Sequence, residues 1–372
     1  MQDEFPNARN VCYLNTAAEG MLPATSLRTL QRAATLKQTP QLLGDQQYYD
    51  LPARCRALLA ELIHASPEEI ALSASTSFGI GALAYSLPLL KGDEVLLVDR
   101  DFPSNNFAWE GLRAQGVDIR KVPFSTDGQQ TARLIDSIKP KTSVISVSLV
   151  HFYSGFQYDL PKLSEVCRQR QIFLILDAIQ AVGNTELDLQ QVRVDGLCAA
   201  AHKWQLAPQG TGFFYVRREL LPRLNPAFTG WMSNAGANAF SQSESFEFRP
   251  PDQARRFEIG TANIISLSAY EQSLKLLSQL KVRYIEEHNR ALVTRLAKFF
   301  REIDWNVADF PRSSSIFSIV PPAKYDVHNL CQQLFAKQVF VAVRENYLRI
   351  SPHFYNTEQD IDRFCSEFRK LL

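Results

Sequence analysis

Three groups of residues in this sequence have types and spacings that can do chemistry. The stretch LCAAAHKWQLAPQGTGFFYV, residues 197–216, places His202 and Lys203 after a short apolar run and before a loop with Pro208, Gly210 and Gly212. Lysine is rarely buried unless it is paired or chemically engaged. Upstream, LILDAIQAVG puts Asp177 directly after another apolar run, with Gln180 three residues on. Further upstream, SASTSFGIGA sets Ser75, Thr76 and Ser77 at a turn that opens a helix. Hydroxyls and free amides at a helix N-terminus suit a phosphate.

A lysine, a carboxylate and a phosphate cradle are the parts needed to hold pyridoxal phosphate. The lysine bonds the cofactor's aldehyde and later shuttles the substrate's α-proton. The carboxylate keeps the ring nitrogen protonated, which makes the ring an electron sink. Each part also has a plainer reading. Asp177 can cap a helix, Lys203 can be a solvated loop residue, and Ser75 to Ser77 can be an N-cap cluster. The order and spacing of all three together favour the cofactor.

The surrounding pattern supplies elements to position them. SLRTLQRAATLKQ and DLPARCRALLAELIHA have helical periodicity. EEIALSAS reads as a short strand and GIGALAYSLPLL as a helix with Pro88 near its end. DEVLLVD, SVISVSLV and IFLILD read as buried strands, with FAWEGLRAQG a helix closed by Gly116 and KLSEVCRQRQ another helix. Strands alternating with helices over residues 70–216 imply a mainly parallel sheet with helices on both faces. Ligands bind at the carboxyl ends of such strands. The segment 229–257 reads as loops over the sheet edge, because it holds Trp231, Phe246 and Phe257. After residue 262 one long helical stretch leads into a mixture of short strands and helices, which implies a smaller α+β unit. The expected division is an N-terminal segment 1–24, a large domain 25–262 and a small C-terminal domain 263–372.

Composition narrows the function. Forty basic residues against thirty-nine acidic ones leave a formal charge of +1. That gives no electrostatic case for nucleic acid or an anionic membrane as partner. The N-terminus lacks the pattern of a signal peptide, and no apolar run approaches the ~20 residues of a bilayer span. Cysteines at 12, 55, 167, 198, 331 and 365 are scattered, without metal-ligand spacing, and the six histidines are dispersed. These features fit reduced thiols in a cytoplasmic protein with no metal site.

The motifs DAIQAVG, AHKWQLAPQGTGFFYV and RRFEIGTAN carry a resemblance to the class V aminotransferase family of fold-type I pyridoxal phosphate enzymes. That family includes cysteine desulfurases, selenocysteine lyase-like proteins and isopenicillin N epimerase. The resemblance runs from YLNTAAEGMLP to RISPHFYNTEQDIDRF, nearly the whole chain. It implies an α/β fold with a mainly parallel sheet flanked by helices and a smaller α+β C-terminal domain. It also implies that Lys203 bonds the cofactor, Asp177 pairs with its ring nitrogen and Gln180 meets its phenolic oxygen. Thr76, Ser77 and His202 hold the phosphate. Thr261 reaches the phosphate of a neighbouring subunit, which makes the protein a homodimer with active sites at the interface. Phe102, in DRDFPSNNFAWEGL, stacks over the pyridine ring where desulfurases carry a histidine. Arg349, in YLRIS, grips the substrate carboxylate, and Asn15 lines the entrance to the same pocket.

The sequence departs from the family pattern in places. Ala200 stands where a phosphate-binding serine often sits, and Phe152 where an asparagine is common. The expected pocket is therefore apolar and aromatic, with His151 or Tyr153 open as the residue that faces the substrate. Only Glu345, Asn346, Tyr347 and Leu348 separate Arg344 from Arg349, a stretch without cysteine. Four residues span at most about 14 Å, too short to swing a thiol over the cofactor. The expected enzyme acts on an α-amino acid by aminotransferase-type chemistry and does not form a protein persulfide. Carbon–sulfur lyase or epimerase activity is the alternative within the family. A catalytically silent regulatory protein on the same fold is the alternative outside it.

Overall fold

A computed structural model describes residues 3–237, 247–308, 310, 312 and 314–372; Phe246 lies outside them. The chain opens with β1 (Cys12–Tyr13), α1 (Ala24–Leu36), α2 (Leu51–Ile63), β2 (Ile70–Leu72) and α3 (Thr76–Ala84). It continues through β3 (Glu94–Val98), α4 (Pro103–Phe107), β4 (Asp118–Val122), α5 (Gln130–Asp136) and β5 (Thr142–Ser148). Next come α6 (Leu160–Gln169), β6 (Phe173–Asp177), β7 (Gly196–Ala200) and β8 (Gly212–Val216). The C-terminal part holds α7 (Ile264–Leu280), α8 (Val282–Glu302), β9 (Phe317–Ile319), α9 (Val327–Ala336), β10 (Val339–Phe340), β11 (Ala342–Arg344), β12 (Tyr347–Ile350) and α10 (Glu358–Arg369).

The large sheet has strand order β2-β8-β7-β6-β5-β3-β4. Strands β3 to β7 pair in parallel, and β8 runs antiparallel to both of its neighbours. The apolar runs have no polar alternation because both faces are covered. Leu174 and Leu176 of β6 enter one core cluster and Phe173 and Ile175 the other. Phe213 and Tyr215 of β8 divide from Phe214 and Val216 in the same way. A third cluster gathers Leu296, Phe300, Leu334, Leu348, Ile350 and Phe364 with Cys12 and Leu14 from the N-terminus. It sits behind the small antiparallel sheet β11-β12-β9.

The structure refines several sequence expectations. The long helical stretch is two helices, broken at Lys281, whose φ is 61°. Helix α7 packs on α1 and α2 and adds Leu267, Tyr270 and Leu274 to the large core, whereas α8 joins the small one. The stretch 107–116 is not one helix: Phe107 ends α4, and Glu110–Gln115 form a separate 3-10 turn closed by Gly116 at φ 82°. Helix α3 starts at Thr76 and ends at Ala84, before Pro88. VFVAVR is two strands, because β10 pairs with β1 and β11 with β12.

Candidate active site

Five strand ends meet at one edge of the large sheet. Leu72, Val98, Ser148 and Asp177 close β2, β3, β5 and β6, and Ala200 closes β7. Parallel register sets Asp177 beside Ser148 on one side and Cys198 on the other. Helix α3 is pressed onto β7 and β8 at Gly79, where a Cβ would lie 3.0 Å from Cys198 Sγ and 3.1 Å from Phe214 Cβ. Its N-terminus therefore arrives at the same edge. The Ser75 hydroxyl caps it by accepting from the Phe78 amide at 3.1 Å. Thr76 Oγ1 accepts from the Ala200 amide at 2.9 Å, which leaves its hydrogen free to donate. The first-turn amides of Thr76 and Ser77 have no intrahelical acceptors. Ser77 is exposed and shares a hydrogen bond with Ser104 at 2.7 Å.

Lys203 is buried, 8% exposed. Burial pushes its pKa down; the charge of Asp177 opposes that, Arg349 and Arg344 push it down further, and Glu19 opposes weakly. Its Nζ lies 5.5 Å from the centre of the Phe102 ring. The N-terminal turn locks this lysine in place: the Gly20 amide donates to the His202 carbonyl at 2.8 Å. A Cβ on Gly20 would sit 2.0 Å from the Lys203 carbonyl oxygen, so that position admits only glycine. The His202 ring is half-buried, and burial together with the Lys203 charge lowers its pKa to about 4. It is neutral at pH 7.

Asp177 is 1% exposed. Its Oδ1 accepts from the Ile179 amide at 3.0 Å. Its Oδ2 is buried with no hydrogen-bond partner. Burial raises its pKa, the Ile179 amide lowers it, Asp101 raises it and Lys203 lowers it. An unpartnered buried carboxylate oxygen is costly, and a protonated ring nitrogen would satisfy it. Gln180 donates one amide hydrogen to the Ala17 carbonyl at 3.0 Å and accepts from Trp204 Nε1 at 2.7 Å. One N–H remains for a ligand oxygen.

Arg349 is 1% exposed and donates to the Phe152 carbonyl at 2.8 Å and to Asn15 Oδ1 at 3.3 Å. Its Nε has no partner. Burial, with Arg344 nearby, lowers its pKa to about 9. Phe102 and Phe152 meet edge to face at 5.2 Å, so Arg349, Asn15, Phe152, Phe102 and Lys203 form one connected lining. Neither His151 nor Tyr153 is open to it. His151 stacks on Phe124 at 3.8 Å and is held neutral by burial, and Tyr153 packs on Tyr347 at 5.2 Å. Phe152, between them, is the half-exposed one.

Thr261 is exposed on the rim of a separate cleft of about 480 Å³, which Ser73, Ala74 and Phe78 also border. Asp101 and Glu19 were not singled out from sequence. Asp101 is buried, accepts from the Phe102 and Ser148 amides and Asn105, and so fixes the Phe102 backbone. The signal for it was present: a carboxylate just after β3, immediately before Phe102.

Comparison with known proteins follows the same outline. The sequence profile of the aminotransferase class-V family matches residues 13–364. The uncharacterized aminotransferase YcbU of Bacillus subtilis is 28% identical over 83% of this chain and 80% of its own length. Isopenicillin N epimerase of Streptomyces clavuligerus is 28% identical over 97% of this chain and 95% of its own. A probable cysteine desulfurase of Borreliella burgdorferi is 26% identical over 86% of this chain and 81% of its own. Among solved structures, the cystine C-S lyase C-DES with its product cysteine persulfide superposes with TM-score 0.89 at 21% identity, covering 98% of each chain. The apo cysteine desulfurase of Thermococcus onnurineus NA1 does so with TM-score 0.87 at 19% identity, covering 100% of this chain and 96% of its own. These two likenesses concern the fold.

Proposed function

The chain belongs to the aminotransferase class-V family, whose cofactor is pyridoxal 5'-phosphate, and from that premise we propose that it acts on an α-amino acid by aminotransferase-type chemistry. The observation that carries the substrate class is Arg349. It is a buried guanidinium that, among the described residues, has no carboxylate in ion-pair reach. Breaking such a pair or leaving the cation alone is expensive, and an amino acid's α-carboxylate fits its fork bidentately.

The bound cofactor supplies an electron sink for the bond broken at the substrate's α-carbon. The residues around it do the rest. Asp177 Oδ2, buried without a partner, would hold the proton on the ring nitrogen. Lys203, its pKa lowered by burial, would carry the bond to the cofactor aldehyde and move the α-proton. Phe102 and Phe152 would line the cofactor's side of the pocket, and neither can move a proton, so proton transfer would fall to Lys203. Thr76, Ser77 and His202 would receive the phosphate, and Gln180 would offer its remaining N–H to the phenolic oxygen. Thr261 acts across a homodimer interface on the partner's phosphate.

β-Elimination or epimerisation is the second reading, favoured by the relatives named above. Persulfide formation on this protein is not part of the proposal, although several relatives bear the desulfurase name. Arg344 pairs directly with Tyr347 in the β11–β12 hairpin. The turn is thus only Glu345 and Asn346, with no loop to bring a thiol over Lys203. Cys331 and Cys365 lie on α9 and α10, and burial raises both thiols, Cys365 to about 12.

The test is to incubate the cofactor-loaded protein with a panel of amino acids, follow the visible spectrum, and assay keto acid, pyruvate, sulfide and protein mass. A keto acid from an amino donor supports the proposal. A gain of one sulfur on a protein cysteine, with alanine as co-product, overturns it.

A further inference from the structure

We infer that Arg344 is a second anion anchor and that the substrate is an amino acid with a carboxylate at the end of its side chain. This rests on the amino-acid reading above and extends it. In the β11–β12 hairpin, Ala342 stands opposite Arg349 and Arg344 opposite Tyr347. Directly opposed residues share a face, and successive residues alternate faces. Ala342, Arg344, Tyr347 and Arg349 therefore lie on one face, while the Val343–Leu348 pair lies on the other, where Leu348 enters the small core. The face bearing the arginines is the site face, because Arg349 bonds the Phe152 carbonyl and Asn15 Oδ1.

Arg344 and Arg349 are diagonal neighbours across the two strands, a spacing of about 7–8 Å between Cα atoms. Like charges held this close repel. Nothing among the described residues neutralises them. Arg344 donates to its own neighbour's carbonyl, Val343, at 2.8 Å and makes no ion pair. The adjacent carboxylate, Glu345, is committed to Arg100 at 2.8 Å. The charge of Arg344 also reaches inward: it pushes down the pKa of both Lys203 and Arg349. Arg349 is buried and Arg344 half-buried, so the pair forms an inner and an outer cation along one wall. A ligand with two carboxylates neutralises both. Its α-carboxylate takes Arg349 and its distal one takes Arg344. A neutral side chain leaves Arg344 facing Arg349 without a counter-charge.

Glutarate and butyrate lack an amino group and so report binding without turnover. Calorimetric titration of the cofactor-loaded protein should show glutarate binding about ten- to a hundredfold more tightly than butyrate, the range of one charge-assisted hydrogen-bonded contact. Arg344→Gln should bring that ratio to within about threefold. Arg344→Lys should retain part of it, since the charge stays and the fork is lost. Arg349→Gln should weaken both ligands. A wild-type ratio near one, or a ratio unchanged in Arg344→Gln, overturns the inference. The spectral response to L-alanine in the same preparation reads the parent proposal separately. A protein that responds to alanine but shows no glutarate preference keeps the amino-acid reading and loses this inference. A protein that responds to no amino acid loses both.

Discussion

The Nζ of Lys203 lies 5.5 Å from the centre of the Phe102 ring, within cation–π range. The contact joins the end of β7 to the end of β3 and sets the height of the pocket. Phe102 is 37% exposed despite its size, so part of its ring is left uncovered beside Lys203. Phe102→Ala should weaken cofactor binding about three- to tenfold, the 0.5–1.5 kcal/mol that an aromatic pair adds, and Phe102→His should restore it. Equilibrium dialysis of the cofactor checks this. Unchanged retention in the alanine variant would mean that Phe102 only packs on Phe152.

Asp177→Asn should still bind the cofactor through the phosphate cradle but turn over about 10²–10³-fold more slowly, the usual cost of removing one preorganised charge from a reaction centre. The buried Oδ2 without a partner is the reason. Single-turnover kinetics with a reactive amino acid measure it. A variant with near-normal turnover would reduce Asp177 to a turn residue that holds the Ile179 amide.

Arg349→Leu should leave the colour of the loaded protein intact and raise the amino-acid concentration needed for half-saturation about ten- to a hundredfold. Steady-state kinetics separate the two effects. An unchanged half-saturation would place the substrate's anchor elsewhere.

Acid should destabilise the fold partly through His353. This ring is fully buried, accepts at Nδ1 from Asn289 Nδ2 at 3.4 Å and donates from Nε2 to the Trp204 carbonyl at 3.1 Å. Burial drives its pKa down to about 3. Below about pH 6.5 the unfolded chain takes a proton that the folded chain refuses, so stability is lost as pH falls through that window. His353→Gln cannot take up that proton. Its melting temperature should fall less than the wild type's between pH 7 and pH 4.5, with the remainder due to groups such as His151 and His202. Equal losses in the two proteins would show that His353 does not contribute.

The candidate site residues were legible in the sequence because they sit where apolar runs stop. Asp177, Lys203 and Phe102 each follow a strand buried on both faces, and such runs are visible without knowing their partners. What long-range pairing decides was not legible. The break at Lys281 has no glycine or proline to announce it, and the helical pattern runs through it. The division of VFVAVR into β10 and β11 depends on β1, more than three hundred residues away. Likewise, Arg344 and Arg349 share a face only because the hairpin turn is two residues long, a register that composition does not encode. The choice among His151, Phe152 and Tyr153 needed Phe124, whose ring covers His151.

The central claim, that Lys203 is the residue that bonds the cofactor and runs the reaction, has a direct measurement. The loaded protein is reduced with borohydride, digested, and searched by mass spectrometry for a phosphopyridoxyl group. The mass should appear on the peptide containing Lys203 and on no other, and Lys203→Ala should carry none and show no turnover. The label on a different lysine, or its absence from the wild type, would contradict the account.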